Sequence, residues 1–270
     1  MKTKRAGVTE MDLRYTFHEV PEDYDQWRPS YVSRLYEDLF EYCQISSSSR
    51  VLEIGIGTGQ ATPPVLETGC RLTAVEIGGA TAAFCAKKFQ GCKNLEILNM
   101  AFEDDPCPDG FYDLIYSASA FHWIPGEVGY PRVCRMLKSG GAFARFANHP
   151  YKDKGNEPLH LALQEVYAEF MPGARNPAEY TQEHCRKISD ELKSCGFSDV
   201  QYKLYHRVRT FDAQSYVSLL GTYSDHRALP EDRRIAFFKE IKATINRFGG
   251  KIHVYDTLDL HLAQKSGCVG

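Results

Sequence analysis

The sequence predicts an α/β fold: a doubly wound, mostly parallel seven-stranded sheet with helical lid insertions in its last third. Three observations carry this expectation. Short apolar runs at residues 50–54, 71–77, 95–98, 112–116 and 141–147 alternate with stretches of helical spacing, the rhythm of strands joined by crossover helices. The first run leads through Glu53 into Gly55, Gly57 and Gly59, spaced E-x-G-x-G-x-G, which reads as a buried strand turning sharply into a helix. The second run ends in an acid, Glu76, 17 residues past Gly59.

Taken in order, Val32, Leu35, Tyr36, Leu39, Phe40 and Cys43 form one face of a helix that Ser30 can cap. The serine run at 46–49 is a loop feeding strand one. After strand two, Ala82, Ala83, Ala86 and Phe89 recur at helical spacing. Strand three is followed by Ala101-Phe102-Glu103, and strand four by Ser117-Ala118-Ser119-Ala120-Phe121-His122-Trp123. Strand five comes after a turn at 137–141. Beyond Pro150 the rhythm changes. Residues 157–170 look helical and are bracketed by Pro150, Pro158, Pro172 and Pro177. Thr181 can cap a helix with Ile188 and Leu192 inward, stopped by Gly196. A long strand at 198–211, helical stretches from Asp212 and over 230–248, and an alternating strand at 251–262 complete the chain. The expected organisation is a helical segment at 1–45, a ligand-binding core at 46–150, and completion of the sheet at 151–270. Within the last, insertions at about 150–180 and 212–248 should cover the carboxyl edge of the sheet, where loops decide what is accepted.

Bulk properties narrow the function. With 270 residues the chain suits one large domain or a core domain with a lid. A formal charge of −3 gives no reason to expect nucleic acid, which favours strongly basic surfaces. Nine cysteines, scattered without any C-x-x-C, point to a reducing compartment and away from zinc. The opening Met1-Lys-Thr-Lys-Arg-Ala-Gly7 lacks an apolar core, and no apolar run reaches membrane-spanning length. The expectation is a soluble cytoplasmic protein, with no membrane or nucleic-acid partner.

The glycine turn says which ligand to expect. A dinucleotide fingerprint would place its third glycine one position later, where Gln60 stands; a nicotinamide oxidoreductase is therefore disfavoured. In an open parallel sheet, ligands sit beyond the carboxyl ends of the strands at the switch point in strand order. A carboxylate there, Glu76, is placed to accept both hydroxyls of a ribose.

At this point the chain resembles the class I S-adenosylmethionine-dependent methyltransferases, with their Rossmann-like fold, and within them the small-molecule branch that includes trans-aconitate methyltransferase. The matching residues are the loop from Glu53 to Gly59, Glu76, Ala101-Phe102-Glu103, Pro108-Asp-Gly-Phe-Tyr-Asp113, Ala120-Phe121-His122-Trp123 and Leu137-Lys-Ser-Gly-Gly141. Near the N-terminus, Tyr24-Asp-Gln-Trp-Arg28-Pro-Ser-Tyr31 matches a Y-D-x-x-R-P-x-Y opening. The set covers roughly residues 15–148; the last third matches only by pattern. One departure is that many relatives carry an acid where Ala101 stands, which moves polar contacts to the adenine onto Glu103 and nearby backbone.

The resemblance implies S-adenosylmethionine as cofactor, S-adenosylhomocysteine as product, and no metal. It implies a cofactor site of Glu53, Gly55, Gly57, Thr58, Gly59, Gln60, Glu76, Ile77, Phe102, Glu103, Ser117, Ala118 and His122. Tyr24 and Arg28 would close that site, Arg28 near a carboxylate of cofactor or substrate, or in an ordinary surface ion pair. The donor is already activated, so the protein's work is to place a nucleophile in line and exclude water. A base is needed only if the accepting atom carries a proton. His122 is the catalytic candidate for that role, since imidazole titrates near neutrality; the alternatives are a pocket wall or a loop-ordering residue. Tyr151, Tyr167, Phe170, Tyr180, Tyr216 and Tyr223 are candidate pocket aromatics, though aromatics at helical spacing are usually core. His226 and Arg227 are weaker lid candidates. The favoured reading is transfer of methyl to a small molecule, a carboxylic acid or a hydroxyl. The alternatives are a protein or nucleic-acid methyltransferase, or a regulatory protein that binds the cofactor without catalysis.

Overall fold

The computed structural model of the chain describes residues 21–174 and 178–266. The opening Met1 to Gly7, the first twenty positions of the expected 1–45 segment, and Pro177 lie outside the described residues. In chain order the elements are α1 (Pro21–Trp27), α2 (Ser33–Tyr42), β1 (Arg50–Ile54), α3 (Thr62–Leu66), β2 (Arg71–Glu76), α4 (Gly79–Lys88), β3 (Leu95–Asn99), β4 (Tyr112–Ala118), α5 (Gly126–Met136), β5 (Leu137–Tyr151), α6 (Glu157–Phe170), α7 (Gln182–Ser194), β6 (Phe197–Asp212), α8 (Ala213–Leu220), α9 (Ser224–Arg227), α10 (Glu231–Arg247) and β7 (Lys251–Lys265). Single 3₁₀ turns at Phe102–Asp104 and Phe121–Trp123 follow β3 and β4.

The seven strands form one sheet in the order β3-β2-β1-β4-β5-β7-β6. It is mixed, with mostly parallel strands. β1 pairs in parallel with β2 and with β4, β2 with β3, and β4 with β5. The chain winds outward from β1 to β3, then returns beside β1 with β4, so the order reverses between β1 and β4.

The chain divides into two compact units, each assembled from separate stretches. The core unit takes Pro29–Asn148, Tyr180–Tyr205 and Leu258–Gly270. Strand residues here alternate between two faces, as the pleat requires. Leu52, Ile115 and Phe143 pack with Tyr130, Val133 and Met136 of α5 and Leu192 of α7. Val51, Leu114, Tyr116, Ala142, Ala144 and Phe146 pack with Leu35 and Leu39 of α2 and Val65 of α3. The strands read as near-continuous apolar runs because both faces are covered.

The helical unit takes Met1–Arg28, His149–Glu179 and His206–Thr257. Its own core joins Leu159 and Leu163 of α6, Ala213 and Leu220 of α8, Phe237, Ile241 and Ile245 of α10, and Ile252 of β7. Asn156 caps α6 by accepting from Leu159 N at 3.1 Å, and Asp212 caps α8 by accepting from Ser215 N at 2.7 Å. Each cap satisfies an amide the first turn leaves open.

Two local expectations are corrected. α2 begins at Ser33 with Val32 at its N-cap, and no side chain caps it; Ser30 is not the cap. The Tyr31 hydroxyl lies 2.7 Å from Ser119 Oγ and its ring meets Phe146 edge-on at 4.8 Å, and the chain is still extended at Val32. Tertiary anchoring of Tyr31 thus overrides the local capping preference of Ser30. The expected turn at 137–141 is a bulge inside β5: the register with β4 jumps from Tyr112↔Leu137 to Leu114↔Ala142.

Candidate functional site

The reversal between β1 and β4 puts the end of β1 where a doubly wound sheet opens a crevice, and the glycine turn leaves β1 at that point. Val75 O accepts from Gly55 N at 2.9 Å and from Ile56 N at 3.3 Å, tying the turn to β2. Gly55 and Gly57 have φ of 72° and 57°, a region that side chains with a Cβ rarely adopt. A Cβ on Gly55 would stand 2.5 Å from that of Ala120, whereas one on Gly57 would meet nothing within 4 Å. Gly55 is therefore demanded by packing. Gly57 borders open space, which is the cradle a ligand lying on this backbone needs. Gly59 lets the Phe89 ring close in, 2.5 Å from where its Cβ would be.

Glu76 ends β2 beside this turn and is 7% exposed. Its Oε2 accepts from Gly57 N at 3.0 Å and its Oε1 from Gly78 N at 2.8 Å. A carboxylate has about four lone-pair directions, so two remain for ligand hydroxyls. Asn99 Nδ2 donates to Glu76 O at 2.8 Å and Ile77 O at 3.2 Å, fixing the backbone on which the carboxylate stands. Lys88 Nζ donates to Thr58 O at 2.9 Å, and Gln60 Nε2 to Thr58 Oγ1 at 2.5 Å, so Thr58 and Gln60 brace the turn.

Glu53 is fully buried. Its Oε2 accepts from Tyr116 OH at 2.7 Å and Thr62 Oγ1 at 2.8 Å, while Oε1 is buried without a hydrogen-bond partner. Burial pushes its carboxyl up to about 7; the two hydrogen bonds oppose that rise and the nearby Glu76 adds to it.

The structure gathers Gly55, Gly57, Thr58, Gly59, Gln60, Glu53 and Glu76 about one turn. Ser117 spends its hydroxyl on Ile54 O at 2.9 Å, which ties β4 to β1, and the half-buried Ala118 ends that strand. Phe102 is 3% exposed and belongs to the core on the α5 face; Glu103 beside it and Ile77 after β2 are half-buried. His122 is exposed on the 3₁₀ turn after β4, its ring 4.8 Å from Trp123. The turn is set by Ser119, a non-glycine residue at φ 55°.

Tyr24 and Arg28 belong to the helical unit. There the Arg28 guanidinium lies over the rings of Tyr223, at 4.1 Å, and Tyr24, at 4.9 Å, and its Nη2 donates to Thr222 O at 2.9 Å. The same unit holds a polar chain that joins the lid candidate His226 to Asp225 and to the pocket candidate Tyr167. His226, 6% exposed, has Nδ1 2.7 Å from Asp225 Oδ1 and Nε2 2.9 Å from Tyr167 OH. Burial works against ionised Asp225, yet its bond to His226 holds the carboxyl below the usual range. Burial drives the Tyr167 hydroxyl well above its usual range, with Tyr216, Asp225 and Tyr223 adding to it. An imidazole between a carboxylate and a phenol can pass a proton along that line. A second cluster is the buried Asp256, which takes Arg207 Nη2 at 3.1 Å and Arg209 Nε at 2.5 Å and Nη2 at 2.9 Å. Asp225 and His226 are neighbours in sequence, as are Arg207 and Arg209 along one strand, but Tyr167 and Asp256 join them only through packing.

Among the described residues no group of three or more His, Cys, Asp or Glu could hold a metal ion, and no helix is long and apolar enough to cross a membrane.

Comparison with known proteins fits this geometry. Residues 52–144 match the family described as a methyltransferase domain. An uncharacterized methyltransferase of Schizosaccharomyces pombe is 22% identical over 233 residues, 85% of this chain and 87% of the relative. One of Mycobacterium bovis is 30% identical over 131 residues, 48% of this chain and 51% of the relative. Among solved structures, the YcgJ protein of Bacillus subtilis superposes with TM-score 0.55 at 15% identity, covering 87% of this chain and 99% of its own. Phosphoethanolamine N-methyltransferase 2 of Haemonchus contortus, in complex with phosphomonomethylethanolamine and S-adenosylhomocysteine, gives TM-score 0.55 at 15% identity over 98% of this chain and 62% of its own. The domain match and the methyltransferase-named relatives, with a fold to match, support a class I S-adenosylmethionine-dependent methyltransferase.

Proposed function

We propose that the chain methylates a small-molecule acceptor, with the cofactor's ribose held by Glu76 and its methionine portion lying over Gly57. The observation that carries this reading is the open space over Gly57 beside a buried carboxylate whose lone pairs are only half used. The bound cofactor supplies an electrophilic methyl: the acceptor's lone pair forms the new bond as the carbon–sulfur bond breaks and its electrons stay on sulfur. What this chain's residues do is orient and exclude water. Gly55 and Gly59 let neighbouring side chains close against the turn, and Glu76 braces the turn by accepting from Gly57 N and Gly78 N. His122 is assigned to the acceptor's proton where the accepting atom bears one, a role consistent with its exposed place after β4. A small acceptor is supported by the negative formal charge and by the phosphomonomethylethanolamine bound to the Haemonchus contortus enzyme of the same fold.

Calorimetry with S-adenosylmethionine and S-adenosylhomocysteine tests the cofactor site. Glu76→Ala should weaken binding about ten- to a hundredfold, since hydrogen bonds to a charged group contribute ~1.5–3 kcal/mol each. Affinity equal to the parent's would remove Glu76 from the site. Release of S-adenosylhomocysteine with a metabolite mixture, compared with peptide or RNA, tests the acceptor class; turnover on peptide or RNA alone would overturn the small-molecule reading.

A further inference from the structure

Ser119, which follows β4 in the core unit, holds φ at 55°. Serine is disfavoured there because its Cβ crowds the following carbonyl oxygen, whereas glycine takes the same backbone freely. Such a conformation persists only where its surroundings hold it. Two contacts do so. Ser119 N donates to Phe146 O at 2.8 Å, which extends the pairing of β4 with β5 by one rung. Ser119 Oγ lies 2.7 Å from the Tyr31 hydroxyl. Glycine could make the first contact and not the second, so the hydroxyl is what serine adds at this position. Tyr31 is itself fixed, its ring edge-on to Phe146 at 4.8 Å. Phe146 in turn stacks on Tyr116 at 6.1 Å, the phenol that donates to Glu53.

The bend at Ser119 sets the course of the residues after it. Ala120 comes against the glycine turn, its Cβ 2.5 Å from where a Cβ on Gly55 would stand. Phe121 is buried, its ring 5.0 Å from those of Tyr130 and of Phe143. His122 is exposed beside these anchors. With Ser119 at negative φ the chain would leave β4 in another direction, and Ala120 and Phe121 could not both keep their places. Burial favours Phe121 staying, so Ala120 would leave Gly55 and carry His122 with it. The penalty for a left-handed serine and the net contribution of one hydrogen bond are of the same size, so the Tyr31 hydroxyl decides the balance.

We propose that Tyr31 is a positioning residue for methyl transfer: through Ser119 it holds the 119–123 turn against Gly55 and so fixes where His122 stands relative to the glycine turn. The link to methyl transfer rests on the methyltransferase reading above; the hold of Tyr31 on the turn stands on these contacts alone.

The test is amide exchange on the full chain without ligand, together with calorimetry using S-adenosylhomocysteine. Tyr31→Phe and Ser119→Ala each delete one side of the hydroxyl pair. Each should speed exchange over residues 119–124 about two- to tenfold, the span set by one net hydrogen bond, and the double variant should be no faster than either. Ser119→Gly also loses the hydroxyl but takes the bend without penalty, so it should exchange more slowly than Ser119→Ala. Affinity for S-adenosylhomocysteine should follow the same order, weakened about two- to tenfold in Tyr31→Phe and Ser119→Ala and partly restored in Ser119→Gly. That rescue separates positioning from direct contact of the hydroxyl with the ligand, which glycine could not replace. Exchange in both single variants equal to the parent's would overturn the proposal. So would acceleration spread equally over residues 35–42, which would make Tyr31 a docking residue for α2. Affinity lost as fully in Ser119→Gly as in Ser119→Ala, or unchanged in variants whose turn has opened, would overturn it as well. A parent chain that shows the exchange pattern but binds no S-adenosylhomocysteine would refute the methyltransferase reading and leave the hold of Tyr31 on the turn standing.

Discussion

At the scale of single residues, Glu53 holds the sharpest conflict between charge and burial. Its carboxyl is pushed up to about 7 by desolvation, against 4.5 in an exposed chain. The folded chain therefore keeps a proton that the unfolded chain has released over that interval. The resulting stability is fully present below about pH 4.5 and is lost as the pH rises to about 7. At ~1.4 kcal/mol per unit, the loss is about 3 kcal/mol as an order of magnitude. Glu53→Gln should keep the bonds from Tyr116 and Thr62 while removing the titration. Urea unfolding at pH 5 and pH 7.5 should show the parent losing roughly 2–3 kcal/mol relative to the variant; parallel behaviour would mean that Glu53 is ionised throughout. The turn residues and Glu76 were legible because E-x-G-x-G-x-G and a strand-ending acid are local patterns. The link from Asp225 and His226 to Tyr167 was not, since Tyr167 lies 59 positions from His226 and they meet only when α6 and α9 pack.

Elements show the same division between local and non-local information. β1 to β4 were readable as apolar runs because both faces of the core sheet are covered, and Thr181 announced a helix start by its capping chemistry, whereas the Asn156 cap of α6 was not read. α1 and α5 carried weaker signals: α1 buries no residue fully, and α5 contains Pro131 within its span. The β5 bulge was read as a turn because its glycines look alike in both. In the helical unit, strands β6 and β7 are joined by Asp256 between Arg207 and Arg209. Removing one charge from such a buried cluster leaves the others unopposed, so Asp256→Asn should cost about 3–5 kcal/mol, measured by urea unfolding. A cost below 1 kcal/mol would show that solvent reaches the Arg207 and Arg209 guanidinium groups and compensates them once the charge is removed.

For the whole molecule, amide exchange can read the two units separately. S-adenosylhomocysteine should slow exchange at residues 54–60 and 76–79 of the core unit. Nucleotide protection absent from 54–60 would contradict the cofactor assignment. β7 has a consequence of another kind. It is made after β6, yet it lies between β5 and β6, and its residues complete both units. During synthesis, β6 waits for its neighbour while about fifty further residues are added, roughly 3–10 s at ordinary elongation rates. Throughout that interval two strand edges are unpaired and open to other chains. A message cut short before β7 would make a product that can close neither unit, so the sheet order itself marks incomplete copies for chaperones and proteases.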